Sequence, residues 1–140
     1  MTLNLNIKNM ENFRNVILDA SSLIAFVYAE QGHEVVADIL HCSVMSTVNI
    51  SEVIKSMINY NVQINEIDKL FSESLSKIID FNRKQSYMAA ELVQYAKKYG
   101  LSFTDRACIA LSLDTDYPIF TADKIWKKLE IENVDINLIR

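Results

Sequence analysis

Glycine and proline are scarce. The 140-residue chain has two glycines, Gly32 and Gly100, and a single proline, Pro118. So few turn-forming residues exclude collagen-like, low-complexity and turn-dense β-sandwich architectures. They also exclude the P-loop and the G-x-G-x-x-G fingerprint, both of which need several glycines close together. A Walker-type NTPase and an ordinary dinucleotide-binding dehydrogenase are thereby ruled out. Long apolar runs are missing as well. The longest, Val16 to Ala29, is 14 residues and is interrupted by Asp19, Ser21 and Ser22, against the roughly 20 that a bilayer requires. The start, M-T-L-N-L-N-I-K-N-M, lacks the basic and apolar regions of a secretory leader,. Cys42 and Cys108 lie far apart and outside any C-x-x-C pattern, so neither a disulfide framework nor a zinc ribbon is expected,. A reduced, cytoplasmic setting with no membrane contact is the expectation. His33 and His41 have no zinc-site spacing and read as surface or helix-end residues,. No G-x-S-x-G nucleophile elbow is present,.

What remains is a chain that is 50% apolar and 23% charged, enough to bury the core of one domain,. The formal charge of −4 argues against a protein that coats nucleic acid indiscriminately,. Charge is nevertheless uneven. Residues 1–70 carry four basic and eight acidic side chains, whereas residues 82–128 carry eight basic and five acidic ones. Contacts to a polyanion belong in that second stretch, unless it is simply a solvated helical surface.

Apolar patterning predicts an alternation of short strands and helices. Val16-Ile17-Leu18, Val44-Met45-Ser46, Ile78-Ile79, Pro118 to Thr121 and Val134 to Ile139 read as strands,. Helical spacing runs through Leu23 to Val27, Val35 to Leu40, Asn49 to Tyr60, Ile64 to Leu75 and Gln85 to Tyr99, the last closed by Gly100,. Ala107 to Leu111 is apolar all round, as in a helix packed inside the protein, and a further helix is expected around Ile125, Trp126 and Leu129. This order specifies an α/β fold: a three-layer sandwich of about five mostly parallel strands between helices. Residues 1–14 stand apart as an N-terminal extension, an edge strand or a disordered segment, ahead of a domain spanning 15–140.

In an open α/β sheet, ligands collect beyond the carboxyl ends of the strands. Four acidic residues fall at strand-to-helix junctions: Asp19 in D-A-S-S, Glu52 in N-I-S-E-V, Asp105 in F-T-D-R-A and Asp123 in F-T-A-D-K. Each has a purely structural explanation. Helix N-termini favour acidic side chains by about 0.3–1 kcal/mol. Asn49 with Glu52 resembles a capping box, and Thr104 and Thr121 stand as N-caps ahead of Asp105 and Asp123,. As a set they suggest more. Carboxylates converging on one sheet edge repel one another unless a cation is present, and an all-oxygen cluster is the chemistry of Mg²⁺ or Mn²⁺ acting on phosphate esters. A phosphorelay receiver would need an acidic pair after the first strand, but Asp19 is followed by Ala20.

The segments V-I-L-D-A-S-S-L-I, E-Q-G-H-E, S-T-V-N-I-S-E-V, L-S-F-T-D-R-A-C-I-A-L and I-F-T-A-D-K-I-W occur here in one register. In this order they resemble the PIN-domain ribonucleases, particularly the VapC-like toxins of bacterial toxin–antitoxin pairs, over about residues 15–140. The resemblance implies a PIN-like nuclease domain with one acidic, Mg²⁺- or Mn²⁺-dependent site that cuts RNA. It assigns the catalytic, metal-binding positions to Asp19, Glu52, Asp105 and Asp123, with Asp19 and Asp105 innermost. Thr121, Ser21 and Asn49 would orient carboxylates or water. Arg106 and Lys124 are phosphate-contact candidates, with a plain surface role as the alternative. The partners implied are an RNA substrate, a cognate antitoxin, a second copy in a homodimer, and DNA only through the antitoxin. Two other readings compete: an RNA-processing nuclease with no antitoxin, and a non-catalytic interaction module on the same fold.

Overall fold

A computed structural model describes residues 15–140. The expected extension at 1–14 lies outside the described residues. Five strands, β1 (Val16–Leu18), β2 (Ser43–Ser46), β3 (Lys77–Ile79), β4 (Ile119–Thr121) and β5 (Ile136–Leu138), form one sheet. Its order is β3-β2-β1-β4-β5, and every pairing is parallel. Seven α-helices are present among the described residues: α1 (Ala20–Val27), α2 (His33–Ile39), α3 (Thr47–Asn59), α4 (Ile64–Ser74), α5 (Arg83–Glu91), α6 (Val93–Tyr99) and α7 (Phe103–Thr115). Short 3-10 turns cover Leu40–Cys42 and Lys124–Lys128. No helix among the described residues is long and apolar enough to cross a membrane.

Parallel strands need crossover helices on both faces, so the central strands are buried twice over. β1 shows this directly: Val16, Ile17 and Leu18 are all inaccessible to solvent. Alternation along the strand divides them. Val16 and Leu18 join Leu23, Val36, Met45, Val53, Phe71 and Phe120 on one face, packed by α1 to α4. Ile17 joins Val44, Ile109, Leu111, Ile119 and Trp126 on the other, where α7 lies. The all-apolar stretch of α7 is explained by this position. Residues Ala107 to Ser112 are buried on every side.

Several local expectations are corrected. The long helix from Gln85 to Tyr99 is two helices, broken at Leu92, whose N–H bonds back to the Ala89 carbonyl in a tightened turn. Gln85, Ala89 and Leu92 are the buried residues of this stretch, while Met88 and Tyr95 are only partly covered. The segment around Ile125 to Leu129 is a 3-10 turn that buries Trp126 and leaves Ile125 exposed. Helix α3 begins at Thr47, capped by the Ser46 hydroxyl, which accepts the Val48 N–H. Asn49 therefore lies inside α3, and its side chain is free for other work.

The two glycines do different jobs. Gly32 sits at φ +94° in the turn before α2, and a Cβ there would stand 2.6 Å from the Ile139 carbonyl oxygen. The turn thus seats the last strand's exit, where the Ile139 N–H bonds to the Thr121 carbonyl at 3.0 Å. Gly100 ends α6 at φ +69° with open space around it. Urea unfolding should distinguish the two. Gly32→Ala is expected to lose about 2–4 kcal/mol, combining backbone strain with a backbone clash, and Gly100→Ala about 1 kcal/mol from strain alone. Equal losses would mean that the approach of Ile139 is unimportant.

Candidate active site

The sheet changes winding direction at β1: the chain moves out through β2 and β3, then returns to place β4 on β1's other side. At such a switch point two neighbouring strands send their following loops apart, opening a crevice at their carboxyl ends. Asp19 follows β1 at this position, and Thr121 ends β4 beside it.

Asp19 is only 6% exposed. It caps α1 by accepting the Ser22 N–H at 3.0 Å. The Ser21 hydroxyl lies 2.7 and 2.8 Å from its two carboxylate oxygens, and the Thr121 hydroxyl donates to Oδ2 at 2.6 Å. These hydroxyls are themselves held. Ser21 Oγ accepts the Ala122 N–H, and Thr121 Oγ1 accepts the Asp123 N–H, each at 3.0 Å. Ser22 Oγ donates to the Phe120 carbonyl at 2.8 Å. The start of α1 is in this way laced to the end of β4. Burial outweighs these donors, and the Asp19 carboxyl is pushed up to about 6 from its ordinary value of 3.8,.

Asn49, almost fully buried, donates from Nδ2 to Glu52 Oε1 at 2.9 Å and to the Thr104 carbonyl at 3.0 Å. It therefore fixes the half-buried Glu52 on α3 and ties α3 to the first turn of α7. Its Oδ1 is buried with no hydrogen-bond partner. Asp105 is held by Ser102 in a reciprocal cap. The Ser102 N–H donates to Asp105 Oδ2 at 2.9 Å, and the Asp105 N–H donates to Ser102 Oγ at 3.1 Å. Partial burial raises the Asp105 carboxyl, the two Ser102 bonds oppose that rise, and the Asp123 charge adds to it. Asp123, exposed, caps the 3-10 turn after β4 through the Ile125 N–H at 3.1 Å.

The fully buried Cys108 thiol, one turn beyond Asp105, is pushed up first by burial and then by the charges of Asp19, Asp105 and Glu52. Carboxylates from three separate elements thus act on one buried sulfur. Among the described residues, however, no group of three or more acidic, histidine or cysteine side chains is arranged to hold a metal ion on its own.

Of the residues singled out from sequence, Asp19, Ser21 and Thr121 meet directly, as do Asn49 and Glu52, while Asp105 and Asp123 interact by charge. Thr104 and Thr121 are not the caps expected of them: Ser102 and Asp123 fill those places. Arg106 lies against the Ala89 carbonyl and the Phe103 ring, and Lys124 is exposed. The roles of Ser22, Ser102 and the Thr104 carbonyl were not anticipated. The S-x-x-D spacing of Ser102 and Asp105 is a readable capping signature. Nothing in the sequence marks the Thr104 carbonyl.

A family model described as the PIN domain matches residues 16–132. The chain is a PIN domain. Solved structures agree on the fold. A toxin–antitoxin complex from Klebsiella pneumoniae is 16% identical, with TM-score 0.66, covering 86% of this chain and 95% of its own. VapBC2 from Rickettsia felis, bound to a promoter DNA fragment, is 16% identical with TM-score 0.65, covering 88% and 97%. VapBC-1 from nontypeable Haemophilus influenzae is 18% identical with TM-score 0.64, covering 89% and 97%. No curated protein matches the sequence of this PIN domain.

The raised Asp19 carboxyl has a measurable consequence for this PIN domain. Between its unfolded value near 4 and its folded value of about 6, the folded chain keeps a proton that the unfolded chain has lost,. The stabilisation is complete below about pH 4 and falls by about 3 kcal/mol as pH rises through 6. In metal-free buffer, Asp19→Asn should therefore gain stability relative to the native chain between pH 4.5 and 7.5. A difference that stays constant with pH in urea unfolding would contradict it.

Proposed function

We propose that this PIN domain, taken as residues 15–140, is a Mg²⁺- or Mn²⁺-dependent endoribonuclease and the toxin of a toxin–antitoxin pair. The observation that carries the reading is a buried carboxylate, Asp19, at the switch point of the sheet, with Glu52 in the second turn of α3, Asp105 in the first turn of α7 and Asp123 capping the turn after β4. The family is one of nucleases, and several fold neighbours were solved as toxin–antitoxin complexes.

The donor set fits a hard divalent cation. It offers only oxygen, its innermost carboxyl is raised by burial, and Asn49 Oδ1 is a buried acceptor still unpaired. Such ions commonly take one or two carboxylates and keep several waters and substrate oxygens, so three converging protein ligands are not required. Asp19 and Asp105 would hold the ion. When bound, it would polarise the scissile phosphate, help deprotonate the attacking water and stabilise the leaving oxygen. Ser21 and Thr121 fix the Asp19 carboxylate. Glu52, oriented by Asn49, would accept a proton from the attacking water, and Asp123 would hold ordered water,. Lys124, exposed beside Asp123, is a phosphate contact. An antitoxin would silence the site, a second copy would complete a homodimer, and DNA would be reached only through the antitoxin.

Cleavage of total cellular RNA by the purified chain tests this proposal. Cutting should require Mn²⁺ or Mg²⁺, stop in EDTA, and fall at least about a hundredfold in both Asp19→Asn and Asp105→Asn. Metal-dependent cutting that survives in both variants would assign the activity elsewhere.

A further inference from the structure

We infer that residues 3–7 of this chain dock as a sixth strand along the free edge of β3, antiparallel to it. The inference is independent of the ribonuclease reading and uses none of the residues of the acidic site.

Among the described residues the sheet ends on β3 at one side and on β5 at the other, and the two edges are unlike. On β5, the Asp135 carbonyl accepts the Ile119 N–H and the Ile139 N–H donates to the Thr121 carbonyl, so the backbone groups of Ile136 point outward,. Lys127 already covers that side: its Nζ donates to the Ile136 carbonyl at 2.9 Å. On β3, the Ser76 N–H donates to the Ser43 carbonyl at 2.9 Å. Ser76 and Ile78 therefore turn their backbone groups to β2, and Lys77 and Ile79 turn theirs outward,. No hydrogen bond among the described residues meets those groups from the outer side. An open edge of this kind is a template for another strand.

The same edge carries an apolar notch. Ile78 pairs with Met45, which belongs with Phe71 and Leu75 to the core on the α1–α4 face. Ile78 is nevertheless 38% exposed, and a cavity of about 260 Å³ opens beside it along Phe71, Ser72, Leu75 and Lys77. A strand added there has to be apolar on the notch side and polar on the other.

The chain holds such a segment. Leu3, Leu5 and Ile7 alternate with Asn4, Asn6 and Lys8, the period of a half-buried strand. Its tether also fits. Residue 15 lies at the amino end of β1, and β3 is two strands away, about 10 Å,. Residues 8–15 reach up to about 26 Å when extended. A segment arriving from the amino end runs back along β3, and an antiparallel edge strand on an otherwise parallel sheet is a common arrangement. The apolar face fixes the register. Centring the three apolar side chains on the notch sets Leu5 opposite Ile78, with Asn4 and Asn6 exchanging backbone bonds with Ile79 and Lys77.

Amide exchange and cross-linking on the full chain test this. The Lys77 and Ile79 amides should exchange slowly in the native chain. Leu5→Asp should speed both by at least about tenfold while the amides of β1 stay protected. Equal exchange in the two chains would overturn the proposal. The register is read in a Cys42→Ser background, where Cys108 stays buried. Leu5→Cys with Ile78→Cys should close a disulfide within one chain on mild oxidation, because residues opposed at a non-hydrogen-bonded position have the Cα spacing a disulfide needs. Asn4→Cys with Ile78→Cys puts the two thiols on opposite faces and should close at least about tenfold more slowly. Equal rates for the two pairs would overturn the proposal, as the mark of a tail meeting the edge at random. Disulfides formed only between chains would also overturn it, and would assign the edge to a second copy.

Discussion

Burial of one carboxylate at the end of the innermost strand organises this molecule. β1 has no solvent-exposed residue, so whatever follows it emerges into a crevice walled by helices from both faces of the sheet. Placing an ionisable group there raises the energy of its charged form. The chain offsets part of that cost with Ser21, Ser22 and Thr121, drawn from the start of α1 and the end of β4. These bonds hold the first turn of α1 against β4. The raised Asp19 carboxyl shows that the offset is partial. What remains is a raised affinity for a proton.

Capping and catalysis are often weighed as alternatives for an acidic residue at a helix start. Under the proposed function the same atoms would serve both ends. Asp19 caps α1, Asp105 closes a reciprocal cap with Ser102, and Asp123 caps the turn after β4. A cap fixes a side chain's rotamer through the backbone, and a preorganised carboxylate is a better ligand than a mobile one. Asn49 extends the scheme without capping anything. From within α3 it joins Glu52 to the backbone of α7 and so keeps two helix starts in register.

Much of this was legible in the residues. Val16-Ile17-Leu18 followed by Asp19 announces a doubly buried strand ending at a polar edge, and the all-apolar turns of α7 announce an internal helix. Both readings depend on periodicity and burial, which a sequence displays directly. The break at Leu92 was not legible. It depends on one tightened hydrogen bond, from the Leu92 N–H to the Ala89 carbonyl, which apolar spacing does not display. The caps at Ser46 and Ser102 stand three and two residues before the expected Asn49 and Thr104 because several hydroxyls and amides compete at each helix start, and only tertiary packing decides between them. Which acidic residues come near one another likewise depends on strand order, and spacing carries no record of that order.

The central claim is that the carboxylates around Asp19 constitute a site for a hard divalent cation. Its most direct test is a calorimetric Mn²⁺ titration of the native chain and of Asp19→Asn at pH 7.5 and pH 5. The account predicts saturable binding to the native chain at pH 7.5, weakened at pH 5 where Asp19 retains its proton, and abolished in the variant. Absence of Mn²⁺ binding, or binding that neither pH nor Asp19→Asn changes, would contradict it and leave these side chains as helix caps alone.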